Sequence, residues 1–299
     1  MIKRFLSYVE IKTKVTSVFA FLFALSYLLS IGQKIDALKT IVFFAAMLMF
    51  DLTTTAINNY IDTKTNDQIL QFKRKNAFII IIVLFISSAA LGLYLAAVTD
   101  IVVLLLGALC FLCGVLYTYG PVPISRQPLG EIFSGFFYGV LIPFILLYIN
   151  MPSGAYLSLY LSTKTINISF QIFPIITVLL LAMPPFCTTA NIMLANNICD
   201  LKKDIAVKRY TLPYYIGTKA LYLFAALYYI SYLSVIIMVI LKILSPICLL
   251  SLLTIIPVQK NINRFFETQD KKTTFIYSVK NYVIIMAANS FVVFISRFL

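Results

Sequence analysis

The chain has 299 residues, 61% of them hydrophobic and 12% charged. A soluble domain is about half apolar and about a quarter charged, so the composition excludes one and points to a polytopic helical membrane protein. A net charge of +13 is compatible with nucleic-acid binding, but the cations lie between apolar runs, as membrane topology requires, and no nucleic-acid partner is expected.

Arg4, Lys12 and Lys14 precede the first apolar run, and no small-residue cleavage site follows it. The run is therefore read as a retained span and not as a signal peptide. A bilayer is crossed by about 20 apolar residues in a helix. Nine such spans are expected, at about 15–31, 39–61, 77–98, 101–119, 131–149, 172–198, 219–241, 243–258 and 279–297. The fold class is thus all-α: about nine transmembrane helices in one bundle, a single domain over residues 1–299. With the N-terminus inside, 19 Lys and Arg fall in inner segments and 5 in outer ones, which fixes that orientation. The expected location is a cell membrane, crossed many times. The Ile-, Lys- and Asn-rich composition suggests a low-GC bacterial source.

The second span ends in Ala56-Ile-Asn-Asn-Tyr-Ile-Asp-Thr-Lys-Thr-Asn-Asp67. The sixth ends in Leu194-Ala-Asn-Asn-Ile-Cys-Asp-Leu-Lys-Lys-Asp-Ile205. One offset of 138 residues superimposes Asn58 on Asn196, Asn59 on Asn197, Asp62 on Asp200, Lys64 on Lys202 and Asn66 on Asp204. A constant offset marks an internal repeat. Positions i, i+4 and i+8 share a helix face, so each copy presents a polar ridge: Asn58, Asp62, Asn66 and Asn196, Asp200, Asp204. Both spans run toward the cytoplasm, and the two ridges are expected to face each other across a cavity on that side.

Three inner loops follow. The first carries Asp67 and Lys73-Arg-Lys75. The second carries Tyr117, Tyr119, the helix-ending Gly120-Pro121, and Arg126. The third carries Lys208 and Arg209. The outer segment 150–171 offers no chemistry, and 259–277 reads as a solvated connector. Carboxylate and amide oxygens without His or thiolate suit Mg²⁺, which is readily shared with phosphates. Lys64, Lys73, Arg74, Lys75, Arg126, Lys208 and Arg209 would repel a bare cation but attract a polyanion. Together they imply a metal–diphosphate ligand with an apolar tail in the membrane. A single ridge of this kind would be read as interfacial residues in headgroup water; the pair at one offset favours a site. Asp51, two turns deeper, is either functional or a capping or pairing group within the bundle. The chain has no His, which removes the usual general base. Cys110 and Cys113 have no second pair to complete a metal site.

The ridges resemble the paired aspartate-rich motifs of the UbiA superfamily of intramembrane prenyltransferases, roughly N-D-x-x-D-x-x-x-D and D-x-x-x-D. Asn196-Asn-Ile-Cys-Asp-Leu-Lys-Lys-Asp204, with Lys208-Arg209-Tyr-Thr-Leu212, is similar to the pattern of the 1,4-dihydroxy-2-naphthoate polyprenyltransferase (menaquinone) branch. Leu116-Tyr117, Gly120-Pro121 and Leu129-Gly-Glu131 are similar to that branch as well. The resemblance implies Mg²⁺ held by Asn58, Asp62, Asp67, Asn196, Asp200 and Asp204. It implies a polyprenyl diphosphate neutralised by Lys73, Arg74, Lys208, Arg209 and Arg126. It also implies Tyr117 and Tyr119 shielding an allylic cation, with Asp62, Asp200 and Tyr117 central to catalysis, and a small aromatic acceptor within membrane lipid. Three positions depart from the pattern: Asn59 stands where the family has Asp, the third acid of the first motif appears as Asn66 or, one residue on, as Asp67, and Cys199 stands where the branch has Arg. The alternatives are another acceptor, such as 4-hydroxybenzoate, homogentisate or a lipid precursor, and an organic-anion transporter using Asp51.

Overall fold

The computed structural model describes residues 1–63, 69–118 and 123–299. It forms two compact units, one of residues 1–18 and 36–124, the other of 19–35 and 125–299. The first begins with α1 (Ile2–Tyr8) and a 3₁₀ turn at Ile11–Lys14. It takes the start of α2 (Val15–Ser30), then α3 (Ala37–Asp62), α4 (Arg74–Ala97) and α5 (Ile101–Thr118). Asp36 caps α3, its carboxylate accepting from the Lys39 amide at 3.1 Å, and these hydrogen bonds hold it below the usual carboxylate range. Asp100 accepts from the Val102 amide at 2.9 Å, opening α5 in the same way.

The core of this unit is set by Tyr8 and Val9 against Leu52, Ala56, Ala77 and Ile81. The Tyr8 hydroxyl donates to the Ala56 carbonyl at 3.0 Å. Burial first, and Tyr60 second, push its phenol above the ordinary value. Asp51 proves to be a pairing group. The buried Lys14 ammonium reaches its carboxylate at 2.8 Å, and the Ser17 hydroxyl donates to the other oxygen at 2.6 Å. Lys14 donates further to the Asp51 carbonyl at 2.9 Å. A buried charge is tolerable when paired and hydrogen-bonded, so Lys14 belongs to the interior and not to a solvated inner segment.

In the second unit, α6 (Gly130–Gly135) passes through a π-helical stretch, Phe136–Leu141, into α7 (Ile142–Asn150). Within the outer segment 150–171 lies an antiparallel hairpin, β1 (Leu157–Leu161) with β2 (Ile166–Phe170). Then come α8 (Ile172–Ala206), α9 (Leu212–Ile216) and α10 (Lys219–Ile240). A 3₁₀ stretch, Pro246–Thr254, leads into α11 (Ile255–Glu267), and α12 (Ile276–Ile295) closes the unit. Gly135 and Gly139 let two backbones meet. A Cβ on Gly139 would lie 2.2 Å from the Phe186 amide nitrogen, the close approach that small residues one turn apart permit between membrane helices. Leu194, Phe224, Tyr228, Val258, Phe265 and Ile285 belong to a buried core of this unit.

Among the described residues seven helices are long and apolar enough to cross a membrane. Of the two further spans expected, 101–119 corresponds to α5, whose apolar part is shorter. The other, 243–258, is not one α-helix. Ser245-Pro246 opens the 3₁₀ stretch, and α11 turns polar from Gln259 onward while burying Val258, Ile262 and Phe265 on one face. Residues 259–267 are therefore an amphipathic packed helix and not a solvated connector.

Candidate active site

The second ridge lies on a single unbroken helix. α8 runs through Asn196, Asp200 and Asp204 to Ala206, so the i, i+4, i+8 spacing does align their oxygens. Each meets a cation. The Lys271 ammonium donates to Asp200 Oδ2 at 2.8 Å and also to Asn196 Oδ1. Arg209 places its guanidinium 3.8 Å from Asp204 Oδ1, donates from Nε to the Ser125 carbonyl at 2.8 Å, and donates from its amide to the Asp204 carbonyl at 2.9 Å. Lys208, exposed, adopts φ 57° in the turn between them.

Lys271 is held by its own loop. The Asp270 carboxylate accepts from the Thr273 hydroxyl at 2.8 Å, the Thr273 amide at 2.8 Å and the Lys272 amide at 3.0 Å. The Thr273 bonds chiefly, with the Lys272 amide and ammonium, hold Asp270 below its ordinary range. Behind the ridge, the buried Asn197 amide donates to Glu131 Oε1 at 2.9 Å. Glu131 Oε2, Asn197 Oδ1 and Asp204 Oδ2 are buried without a hydrogen-bond partner among the described residues. Neither Lys271 nor the Glu131–Asn197 pair emerges from the sequence as part of a site. Lys271 is 71 residues from Asp200, and no spacing rule links them.

In the first unit, Asn58 and Asp62 occupy the last turn of α3, Asn58 half-buried and Asp62 exposed. Arg74 caps that helix, donating to the Tyr60 carbonyl at 3.0 Å and the Thr63 carbonyl at 3.0 Å. Its guanidinium lies 5.3 Å from the Tyr60 ring centre. Lys73 is the exposed residue before α4. Asn59 donates to the Tyr8 carbonyl at 2.8 Å and to Glu10 at 3.2 Å. An Asp there would have no hydrogen to donate, so the departure from the motif has a structural reason. Tyr117 lies half-buried in the last turn of α5, and Arg126 is exposed in a 3₁₀ turn. Asp67, Tyr119, Lys64, Asn66 and the Gly120-Pro121 break lie outside the described residues.

Among the described residues no three His, Cys, Asp or Glu side chains gather as a metal site. The donors are carboxylates mixed with amides. Asn196 and Asp200 already hold one cation, the Lys271 ammonium, and Asp204 and Asn197 keep unpartnered oxygens. Few protein oxygens, all hard, fit Mg²⁺, which completes its shell with water and phosphate.

The fold and these residues define a multi-pass helical membrane protein with a repeated Asn-Asn-x-x-Asp motif and cations set against its second copy. Residues 17–279 match the UbiA prenyltransferase family, and the chain belongs to that family. It is 28% identical over 212 residues to the 1,4-dihydroxy-2-naphthoate octaprenyltransferase of Bacillus subtilis, a match spanning 67% of this chain and 62% of that protein. A structure of digeranylgeranylglyceryl phosphate synthase superimposes with a TM-score of 0.66 at 17% identity, covering 98% of each chain. A UbiA homologue from Archaeoglobus fulgidus bound to GPP and Mg²⁺ superimposes with a TM-score of 0.62 at 14% identity, covering 97% of this chain and 99% of that one.

Proposed function

We propose that this protein transfers a polyprenyl group from a polyprenyl diphosphate to an aromatic acceptor in the membrane, with 1,4-dihydroxy-2-naphthoate as the acceptor and menaquinone biosynthesis as the setting. The observation that carries the reading is the second ridge: three aligned oxygens on one membrane helix, with Lys271 and Arg209 against them. Acceptor oxygens and cations at one helix end suit a metal-bound diphosphate better than either ion alone. The naphthoate octaprenyltransferase relative and the fold relative bound to GPP and Mg²⁺ support the reaction class and the ion.

In this reading Asn196, Asp200 and Asp204 of one unit, and Asn58, Asp62 and Asp67 of the other, supply oxygens to Mg²⁺. When bound, the ion offsets the charge that builds on the diphosphate as it leaves. Lys271, Arg209 and Lys208 add fixed positive charge, and Lys73, Arg74 and Arg126 do the same on their own segments. Lys271 supplies beside Asp200 the cation that Cys199, in place of the branch's Arg, does not. Tyr117 and Tyr119 offer ring faces to the allylic cation. The acceptor's electron-rich carbon then forms the new C–C bond. With naphthoate as acceptor, its carboxylate leaves as CO₂ and no protein base is required, which suits a chain without His. The site lies on the cytoplasmic side of a cell membrane.

The test is a membrane assay with a labelled polyprenyl diphosphate, offering 1,4-dihydroxy-2-naphthoate and 4-hydroxybenzoate separately, with Mg²⁺ or with EDTA. Prenylated naphthoquinol formed only with Mg²⁺, and lost in Asp200→Ala, is expected. Product with 4-hydroxybenzoate alone would overturn the acceptor, and no product with any aromatic acceptor, from membranes holding folded protein, would overturn the reaction.

A further inference from the structure

We infer that the hairpin Leu157–Phe170 is a lipid-docking element, seated on the acyl-chain boundary of the leaflet at the end of α8 remote from the Asn-Asn-x-x-Asp motif. The strand register sorts its side chains by chemistry. Leu157 pairs with Phe170 and Leu159 with Ile168, while Ser158 pairs with Ser169 and Tyr160 with Asn167. Directly opposed residues share a face, so one face is wholly aliphatic and aromatic. The other is polar, closed by a Ser158–Ser169 hydrogen bond of 2.6 Å. The apolar face is open: Ile166 is 69% exposed, Ile168 55% and Phe170 60%.

Continuity names the occupant. β2 passes through one residue, Gln171, into the membrane helix α8, whose first turns expose Ile172, Phe173, Ile176 and Leu179. Those side chains meet lipid in a protein that crosses the membrane, and the hairpin extends their surface. From Ile172 to Asn196 the helix rises about 36 Å, so the hairpin lies at the membrane face opposite the second ridge.

Two features set its depth. A two-stranded sheet leaves the outer edge of each strand unpaired, and unpaired backbone groups are not tolerated in hydrocarbon. The turn between the strands, Ser162 to Thr165, is polar, internally hydrogen-bonded and carries the exposed Lys164. The hairpin therefore lies along the interface, as an amphipathic helix does. Its apolar face is turned to acyl chains, and its edges and Lys164 are among headgroups. The base is anchored to protein: the Gln171 amide donates to the Tyr156 carbonyl at 2.8 Å, and buried Tyr156 packs edge-on against Phe144 at 6.0 Å.

The chain has no Trp, so one introduced Trp reports alone. Ile168→Trp and Asn167→Trp place it on opposite faces of the same strand, and Phe170→Trp repeats the apolar position with an aromatic-for-aromatic exchange. The full chain is placed in phosphatidylcholine nanodiscs with ordinary or brominated acyl chains. Ile168→Trp and Phe170→Trp are expected to emit at shorter wavelength than Asn167→Trp and to be quenched severalfold more by brominated chains, with aqueous iodide giving the reverse order. Equal quenching of the two faces by brominated lipid would overturn the inference. So would a blue-shifted Ile168→Trp that neither brominated lipid nor iodide quenches, which would mean that a second protein copy covers the face.

Discussion

The Lys271 ammonium lies 2.8 Å from Asp200 Oδ2, joining the loop before α12 to the helix that carries the second motif. The pair is only partly shielded, at 40% and 25% side-chain exposure, so its contribution to stability is small, about 0–1 kcal/mol. Its importance lies in placing positive charge where a diphosphate is proposed to bind. Lys271→Ala is expected to raise KM for the polyprenyl diphosphate at least about tenfold, the effect of about 1.4 kcal/mol of lost binding, with little change in thermal stability. Adding Cys199→Arg to that variant is expected to recover part of the loss. Unchanged KM in Lys271→Ala would remove Lys271 from the site.

Asn59 gives a stability prediction of the opposite kind. Restoring the family's acid by Asn59→Asp sets a carboxylate against the Tyr8 carbonyl and the Glu10 carboxylate. Losing the donor and leaving an acceptor facing acceptors costs about 1–3 kcal/mol. The measurement is proteolytic release of the N-terminal segment, which should quicken in Asn59→Asp and stay unchanged in a silent exposed control such as Lys12→Gln.

The Lys14–Asp51 pair is buried, at 4% and 6% side-chain exposure. Lys14→Met strands the carboxylate and is expected to destabilise the first unit by about 3–5 kcal/mol, whereas Lys14→Met with Asp51→Leu loses much less. Thermal unfolding in detergent, with both variants compared to the parent, checks this. Equal losses in the two would mean that the charge pair is not what holds α3 there.

Asp270 carries a pH prediction. Its folded-state value lies below the ordinary one, so its stabilisation of the loop is present above the unfolded carboxylate value, about 3.9. That stabilisation is lost as pH falls through the depressed folded value. Hydrogen exchange at the Lys272 and Thr273 amides should therefore remain protected at neutral and mildly acidic pH and rise only below that range. Asp270→Asn should expose them at every pH.

The parts of the site that were legible in the sequence are those encoded locally. Asn196, Asp200 and Asp204 align because an unbroken helix turns spacing into a face, and the 138-residue repeat located the first copy. Asn58 and Asp62 also fall on one turn of α3, but the described helix ends at Asp62, and Asp67 lies beyond it. Nothing local pointed to Lys271, whose partner is distant in the chain. Nor did anything in the span pattern reveal that Asp51 is neutralised by Lys14: hydropathy registers a charge in a membrane helix but not its counter-ion. The hairpin was hidden for another reason. Its alternation is short and rich in Ser and Thr, and only the register separates its faces.

The discontinuity of the second unit bears on how the chain is made. Phe19 of α2 packs against Tyr282 of α12 at 6.4 Å, and Arg297 donates to the Leu29 carbonyl at 3.1 Å. Leu29 thus finds Arg297 only after 268 further residues have been synthesised, a delay of about ten seconds to a minute at ordinary elongation rates. During that interval the first unit, complete by residue 124, can form cotranslationally. The distal part of α2 must meanwhile be sheltered by lipid or by the insertion machinery, so maturation of the second unit is a post-translational event.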